Sequence, residues 1–320
     1  MLTLTLADMT RARVTWTEEA RNLRAAMLID LCDVLEEFPT HKFSPFVHCF
    51  MEWRFGSVGG LYQGSAQERP VDHQIALLRL LNQEVAQLRS ALRDPELRHE
   101  QRMFQRNAVE KFRDLLRRVE DLRSVHPQVL GLRFDLHLDQ RVHQRQGAGE
   151  DEKQAQLQEF VALRAKFHDA MEYILGERFV GYSWSLEYGR LRGFHVHYWV
   201  HVLPLKRPDD LVILNLLEAK WITAAGLYAW VHNCNADPTK YWNRIVGRTD
   251  LRDARTIRGI RRWAAYQVLT DAFAKPQLPL NVRTFGMGKF PRFLPCAAGS
   301  LPPIQISVAE AESEGFLDFV

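Results

Sequence analysis

The chain has 320 residues, 46% of them hydrophobic, and a formal net charge of +3. That composition supports one large domain or two modest ones with a real core, and the small net charge alone does not point to nucleic acid. No apolar run nears the roughly 18 residues that cross a bilayer, and the N-terminus lacks a basic start followed by an apolar stretch; no membrane partner and a cytoplasmic location are expected.

Residues 17–37 read as a helix, with Thr17 as N-cap and Glu18 and Glu19 in its first turn. Residues 41–64 are aromatic and glycine-rich and fit no element pattern. Two amphipathic helices follow at 72–93 and 95–125, divided at Pro95. The second carries Phe104, Phe112, Leu115, Leu116 and Leu122 at helical spacing, the mark of a core stripe.

Strands begin at Gln128. Leu132, Phe134, Leu136 and Leu138 alternate with Arg133, Asp135, His137 and Asp139, which gives one apolar and one polar face. After a polar linker, 154–175 is amphipathic and helical, and 179–187 with 193–203 form a hairpin. On its second strand Phe194, Val196, Tyr198, Val200 and Val202 share one face, while His195, His197, Trp199 and His201 share the other. Helices should cover the apolar face and leave the histidine face free. A helix at 209–227, a strand at 228–234, a helix at 252–274 and a short strand at 281–286 complete the predicted elements. The pattern predicts an α+β fold, with a helical region at 1–126, a sheet-bearing domain at 127–295 and a partly disordered acidic tail at 296–320. The cysteines Cys32, Cys49, Cys234 and Cys296 lie far apart, which argues for reduced thiols and against a structural zinc site.

Chemistry concentrates in two places. His195 and His197, two residues apart on one strand, point the same way and can share a divalent metal. With the hairpin turn centred on Leu191, Glu187 lies opposite His195 and Ser185 opposite His197, so Glu187 supplies a third ligand. Two imidazoles and a carboxylate suit Mn²⁺ or Mg²⁺ with positions left for phosphate oxygens. A one-residue slip would remove Glu187, with His137 or Asp135 as the fallback. The second place is Tyr266 on the 252–274 helix, with Arg258 and Arg262 on the same face. A tyrosine hydroxyl beside a metal-bound phosphate is a nucleophile for strand transfer, and the arginines would hold the backbone and favour the phenolate. Tyr241 is the reserve nucleophile, and Trp184 or Trp199 could stack on unpaired bases.

These motifs, in their order, resemble the HUH-superfamily rolling-circle replication initiators, in particular the inovirus-type replication proteins and their prophage relatives. The resemblance covers residues 128–292. It rests on Leu132-Arg133-Phe134-Asp135-Leu136-His137, on Trp184-Ser185-Leu186-Glu187-Tyr188-Gly189 leading into Gly193-Phe194-His195-Val196-His197, on Tyr266-Gln267-Val268-Leu269-Thr270-Asp271, and on Val282-Arg283-Thr284-Phe285-Gly286. It implies an antiparallel sheet flanked by helices. It also implies a metal held by His195, His197 and a third polar ligand, placed here at Glu187. Tyr266 would attack the origin strand, leaving a 5′-phosphotyrosine and a free 3′-hydroxyl. Partners would be single-stranded or hairpin origin DNA, contacted by Arg133, Arg258, Arg262 and Arg283, with host helicase and replication proteins. The chain departs from the family at Leu269, where a lysine is usual; Arg262 or Lys275 could take its place. The departure keeps a second expectation alive, a DNA-binding replication or prophage regulator that does not cleave.

Overall fold

A computed structural model describes residues 3–5, 13–15, 25–26, 29–38, 41–56, 71–138, 150–189, 192–207, 209–226, 228–237, 245–277 and 282–290. The expected N-cap at Thr17, the reserve nucleophile Tyr241 and the tail 296–320 lie outside these residues. The chain divides into two compact units, Met1–Gln105 and Arg106–Val320.

In the first unit, β1 (Thr3–Thr5) runs antiparallel to β2 (Arg13–Thr15). Helix α1 (Leu31–Glu37) is capped by Asp30, whose carboxylate accepts from the backbone of Cys32 and Asp33. The stretch without a clear pattern contains β3 (His41–Phe43) and α2 (Pro45–Gly56). Helix α3 (Val71–Ala91) is followed by α4 (Pro95–Val125), which has proline at its first helical position. Asp94 caps α4 by accepting from the Leu97 N–H at 2.9 Å. The expected boundary at 126 is displaced, because the units divide inside α4. Its C-terminal stripe Phe112, Leu115, Leu116, Val119 and Leu122 is core of the second unit.

The second unit is built on an antiparallel sheet. Its strands are β4 (Gln128–Leu138), β5 (Phe179–Gly189), β6 (Gly193–Val202), β7 (Ala229–Asn233), β8 (Gly247–Asp250) and β10 (Phe285–Gly288), with the short β9 (Ala274–Pro276) outside it. The strand order is β10-β5-β6-β4-β7, and β8 pairs with the start of β4 beside β7. Among the described residues, three α-helices lie in this unit in full: α5 (Glu150–Leu175), α6 (Asp210–Ala225) and α7 (Ala254–Phe273). The chain is therefore α+β, with an antiparallel sheet flanked by helices, and no helix among the described residues is long and apolar enough to cross a membrane.

Each face of the sheet has its own core. The alternating Leu130, Leu132, Phe134 and Leu136, with Val196, Tyr198 and Val200, pack under Phe160 and Phe167 of α5 and Leu217 and Trp221 of α6. The opposite, histidine-bearing face is not free, contrary to expectation. Trp199 on that face is fully buried in a second core with the α4 stripe and with Ile257, Ile260, Trp263 and Val268 of α7. Its indole N–H donates to the Ile245 carbonyl at 3.1 Å. Only some of the covered polar groups satisfy one another: Asp135 Oδ1 lies 2.6 Å from His197 Nδ1, whereas the Ser183 and Ser185 hydroxyls and both ring nitrogens of His137 are buried without a hydrogen-bond partner among the described residues.

Candidate metal and tyrosine site

The hairpin register decides the site. Glu187 is directly opposite His195 and Ser185 opposite His197, so all four side chains share one face. On the other side of β6, His195 faces His137 and His197 faces Asp135. Gly193 opens β6 with φ 60°, a conformation that glycine adopts at no steric cost. Its carbonyl lies 2.9 Å from His195 Nδ1 and accepts a hydrogen bond from that ring. Asp135 does the same for His197, with Oδ1 2.6 Å from Nδ1.

Both rings therefore turn Nε2 towards Glu187. Glu187 Oε2 lies 3.3 Å from Nε2 of His197 and 3.9 Å from Nε2 of His195. Glu187, His195 and His197 form a buried group whose donor atoms could hold a metal ion. Hydrogen bonds on the distal nitrogens fix ring orientation and tautomer, the usual support for metal-binding histidines. His137 is not part of this group. It is stacked between His195, with ring centroids 5.1 Å apart, and Trp230, at 3.9 Å. Burial, helped by the neighbouring His195, pushes its ring down to about 3, so it stays neutral. His201 lies fully buried further along β6, and burial lowers its ring to about 3 as well.

Helix α7 delivers the tyrosine. Asp253 caps its N-terminus by accepting from the Thr256 N–H at 3.1 Å. Three turns on, the Tyr266 hydroxyl lies 3.1 Å from His197 Nε2. Its ring stacks on Trp263, with centroids 5.4 Å apart, and the Arg133 guanidinium lies 4.1 Å from the Trp263 ring centre. Sheet and helix thus bring Tyr266, Glu187, His195 and His197 together.

Electrostatics couple these groups. Burial opposes charge on His197, but hydrogen bonds to Asp135 and Glu187 prevail and raise its ring to about 9. Burial would raise Asp135, but its hydrogen bond to His197 holds it below the usual carboxylate range. The two shifts agree: without metal, the pair is an ion pair. The Tyr266 phenol is pushed up, first by burial and then by the charges of Glu187 and Asp135; Arg133 and Arg192 oppose this. The expected help from Arg258 and Arg262 comes instead from a strand arginine and a turn arginine.

The basic stretch around α7 is only partly a surface. Arg252 is bound to Asp250 at 2.7 Å, and Arg261 is buried. Arg258, Arg262 and Arg283 are exposed, while Arg133 is half-buried beside Tyr266. Leu269 is half-buried, as is Lys275 in β9. Neither expected base-stacking tryptophan is accessible: Trp199 is fully buried, and Trp184 lies in the core of the other face. Trp230, 39% exposed and stacked on His137, escaped the sequence reading, as did Arg192. Trp230 alternates with Val231 on a five-residue strand too short to show which face would be exposed.

No family model matches the chain, and comparisons with curated proteins and with solved structures also find no match.

Proposed function

We propose that the protein is a metal-dependent, site-specific single-strand DNA endonuclease and strand transferase that uses Tyr266 as its nucleophile. The observation that carries this reading is the 3.1 Å approach of the Tyr266 hydroxyl to His197 Nε2, within a Glu187, His195 and His197 group able to hold an ion. Tyr266 is 39% exposed, so water could satisfy its hydroxyl; its approach to an imidazole oriented by a carboxylate is an unusual choice for packing alone. The likeness of these motifs to HUH replication initiators points the same way and extends the proposal to initiation of rolling-circle replication.

Glu187, His195 and His197 would hold Mn²⁺ or Mg²⁺, which supplies Lewis-acid polarisation of a phosphate when bound. The Tyr266 oxygen would form its bond to phosphorus while the bond from phosphorus to the 3′ oxygen breaks, leaving a 5′-phosphotyrosine and a 3′-hydroxyl. Arg133 and Arg192, which both favour the Tyr266 phenolate, would also counter the charge of the phosphate. Trp230 offers a face for an unpaired base.

A second reading, DNA binding without cleavage, is favoured by Leu269 at the position where the family carries lysine and by the elevated Tyr266 phenol. One experiment separates the two. Purified protein is incubated with labelled single-stranded oligonucleotides from its own replicon, with Mn²⁺ or EDTA, and resolved on a denaturing gel beside Tyr266→Phe. The nickase reading expects a covalent band that needs both metal and Tyr266. Binding without any covalent band would replace it with the second reading.

A further inference from the structure

We infer that Asp135, His232 and Cys234 form a second cation site, selective for a thiophilic divalent ion such as zinc. It stands apart from the nickase reading and does not depend on it. In the sheet, Asp135 is directly opposite His197 on β6 and directly opposite His232 on β7. Opposed residues share a face, so one carboxylate lies between two histidines. Cys234 follows two residues after His232, where β7 passes into a short 3-10 turn. The sulfur, an imidazole nitrogen and a carboxylate oxygen all lie within 4.8 Å of one another. Small side-chain rotations bring three such donors onto one ion.

The turn that carries Cys234 is anchored to the strand that carries Asp135. The Asn235 side-chain amide donates to the Gly131 carbonyl at 2.9 Å, and its oxygen accepts from the Arg133 N–H at 3.0 Å. The Asn233 side chain accepts from the backbone of Asn235 and Ala236, which tightens the same turn. Cys234 and Asp135 are buried, whereas His232 is partly exposed and gives solvent a route in. The site is therefore held in place by the fold.

The donor set selects the ion. A thiolate favours zinc over the harder Mg²⁺ and Mn²⁺, whereas Glu187, His195 and His197 contain no sulfur. Binding replaces the thiol proton with the metal, so uptake releases one proton to solvent. Three protein ligands leave a fourth position for water. Asp135 belongs to both groups: one oxygen orients His197, and the carboxylate also faces His232 and Cys234.

The test titrates metal-stripped, full-length protein with Co²⁺. A cobalt–thiolate bond gives a near-ultraviolet charge-transfer band that oxygen and nitrogen ligands alone cannot give. The expected result is a saturable band in the wild type that is lost in Cys234→Ser and persists in Glu187→Gln. His232→Ala, at a partly exposed position, should weaken Co²⁺ binding at this band at least 10-fold. Absence of the band from the wild type, its survival in Cys234→Ser, or unchanged affinity in His232→Ala would each overturn the assignment.

Discussion

Two hydrogen bonds decide what His195 and His197 can do. Without the Gly193 carbonyl and Asp135, either ring could rotate or exchange tautomers, and Nε2 would not be held towards Glu187. Asp135→Asn keeps the shape but removes the charge. It should weaken Mn²⁺ binding about 10–100-fold by titration calorimetry; an unchanged affinity would show that Asp135 does not support His197. The same pair sets a pH dependence in metal-free protein. The His197 ring is raised from 6.5 to about 9, so its contribution to stability is complete below pH 6.5 and is lost as pH rises through 9. His137 and His195, with lowered values, are already neutral across that window and do not compensate. Urea unfolding in EDTA should therefore show stability falling between pH 6.5 and 9, by on the order of 2 kcal/mol. A flat profile or a rise over that range would refute the ion pair.

Among the elements, the β5–β6 hairpin carries the site, and its turn is its most sensitive part. Gly193→Ala places a side chain at φ 60°, where a left-handed backbone costs about 1–2 kcal/mol for residues other than glycine. Relaxing that strain moves the carbonyl that holds His195, so a lower Tm should come together with weaker Mn²⁺ binding; a lower Tm with metal binding intact would show that His195 is held by other contacts. The hairpin was legible in the sequence because period-two alternation and flanking glycines fix both strand type and register. The covering of the histidine face was not legible. Arg133, Asp135, His137, Ser183, Ser185, His195 and His197 look like a solvated surface when read one strand at a time. Only the register shows that they face one another, and only the packing of α7 shows that they are enclosed. Strand β8 was missed because Gly247-Arg248-Thr249-Asp250 has no apolar alternation and forms only where β4 offers a free edge. Tyr266 was found from its helix, but its distance to His197 depends on how α7 crosses the sheet, which local sequence does not encode.

At the scale of the whole chain, the decisive feature is that α4 serves two units. A division at 126, as the strand pattern suggests, would cut the helix from the sheet it supports. Phe112, Leu115, Leu116, Val119 and Leu122 are each at most 2% exposed and lie in the core beneath the histidine face. Trp199, Ile257, Ile260 and Trp263 pack in that same cluster, so removing the helix uncovers the residues that hold α7 to the sheet. Each large apolar side chain uncovered costs about 1.5–3 kcal/mol, and five of them together exceed roughly half of the 5–15 kcal/mol that stabilises a typical domain. A fragment of residues 94–320 keeps the whole of α4 and its Asp94 cap, and should melt in one cooperative transition. A fragment of residues 127–320 should be insoluble or melt without a cooperative transition, and should lose high-affinity Mn²⁺ binding because α7 no longer seats Tyr266 and Trp263 against His197. Calorimetry and metal titration on the two fragments provide the check. Cooperative melting and intact metal binding in the shorter fragment would show that α4 is dispensable and would return the domain boundary to 126.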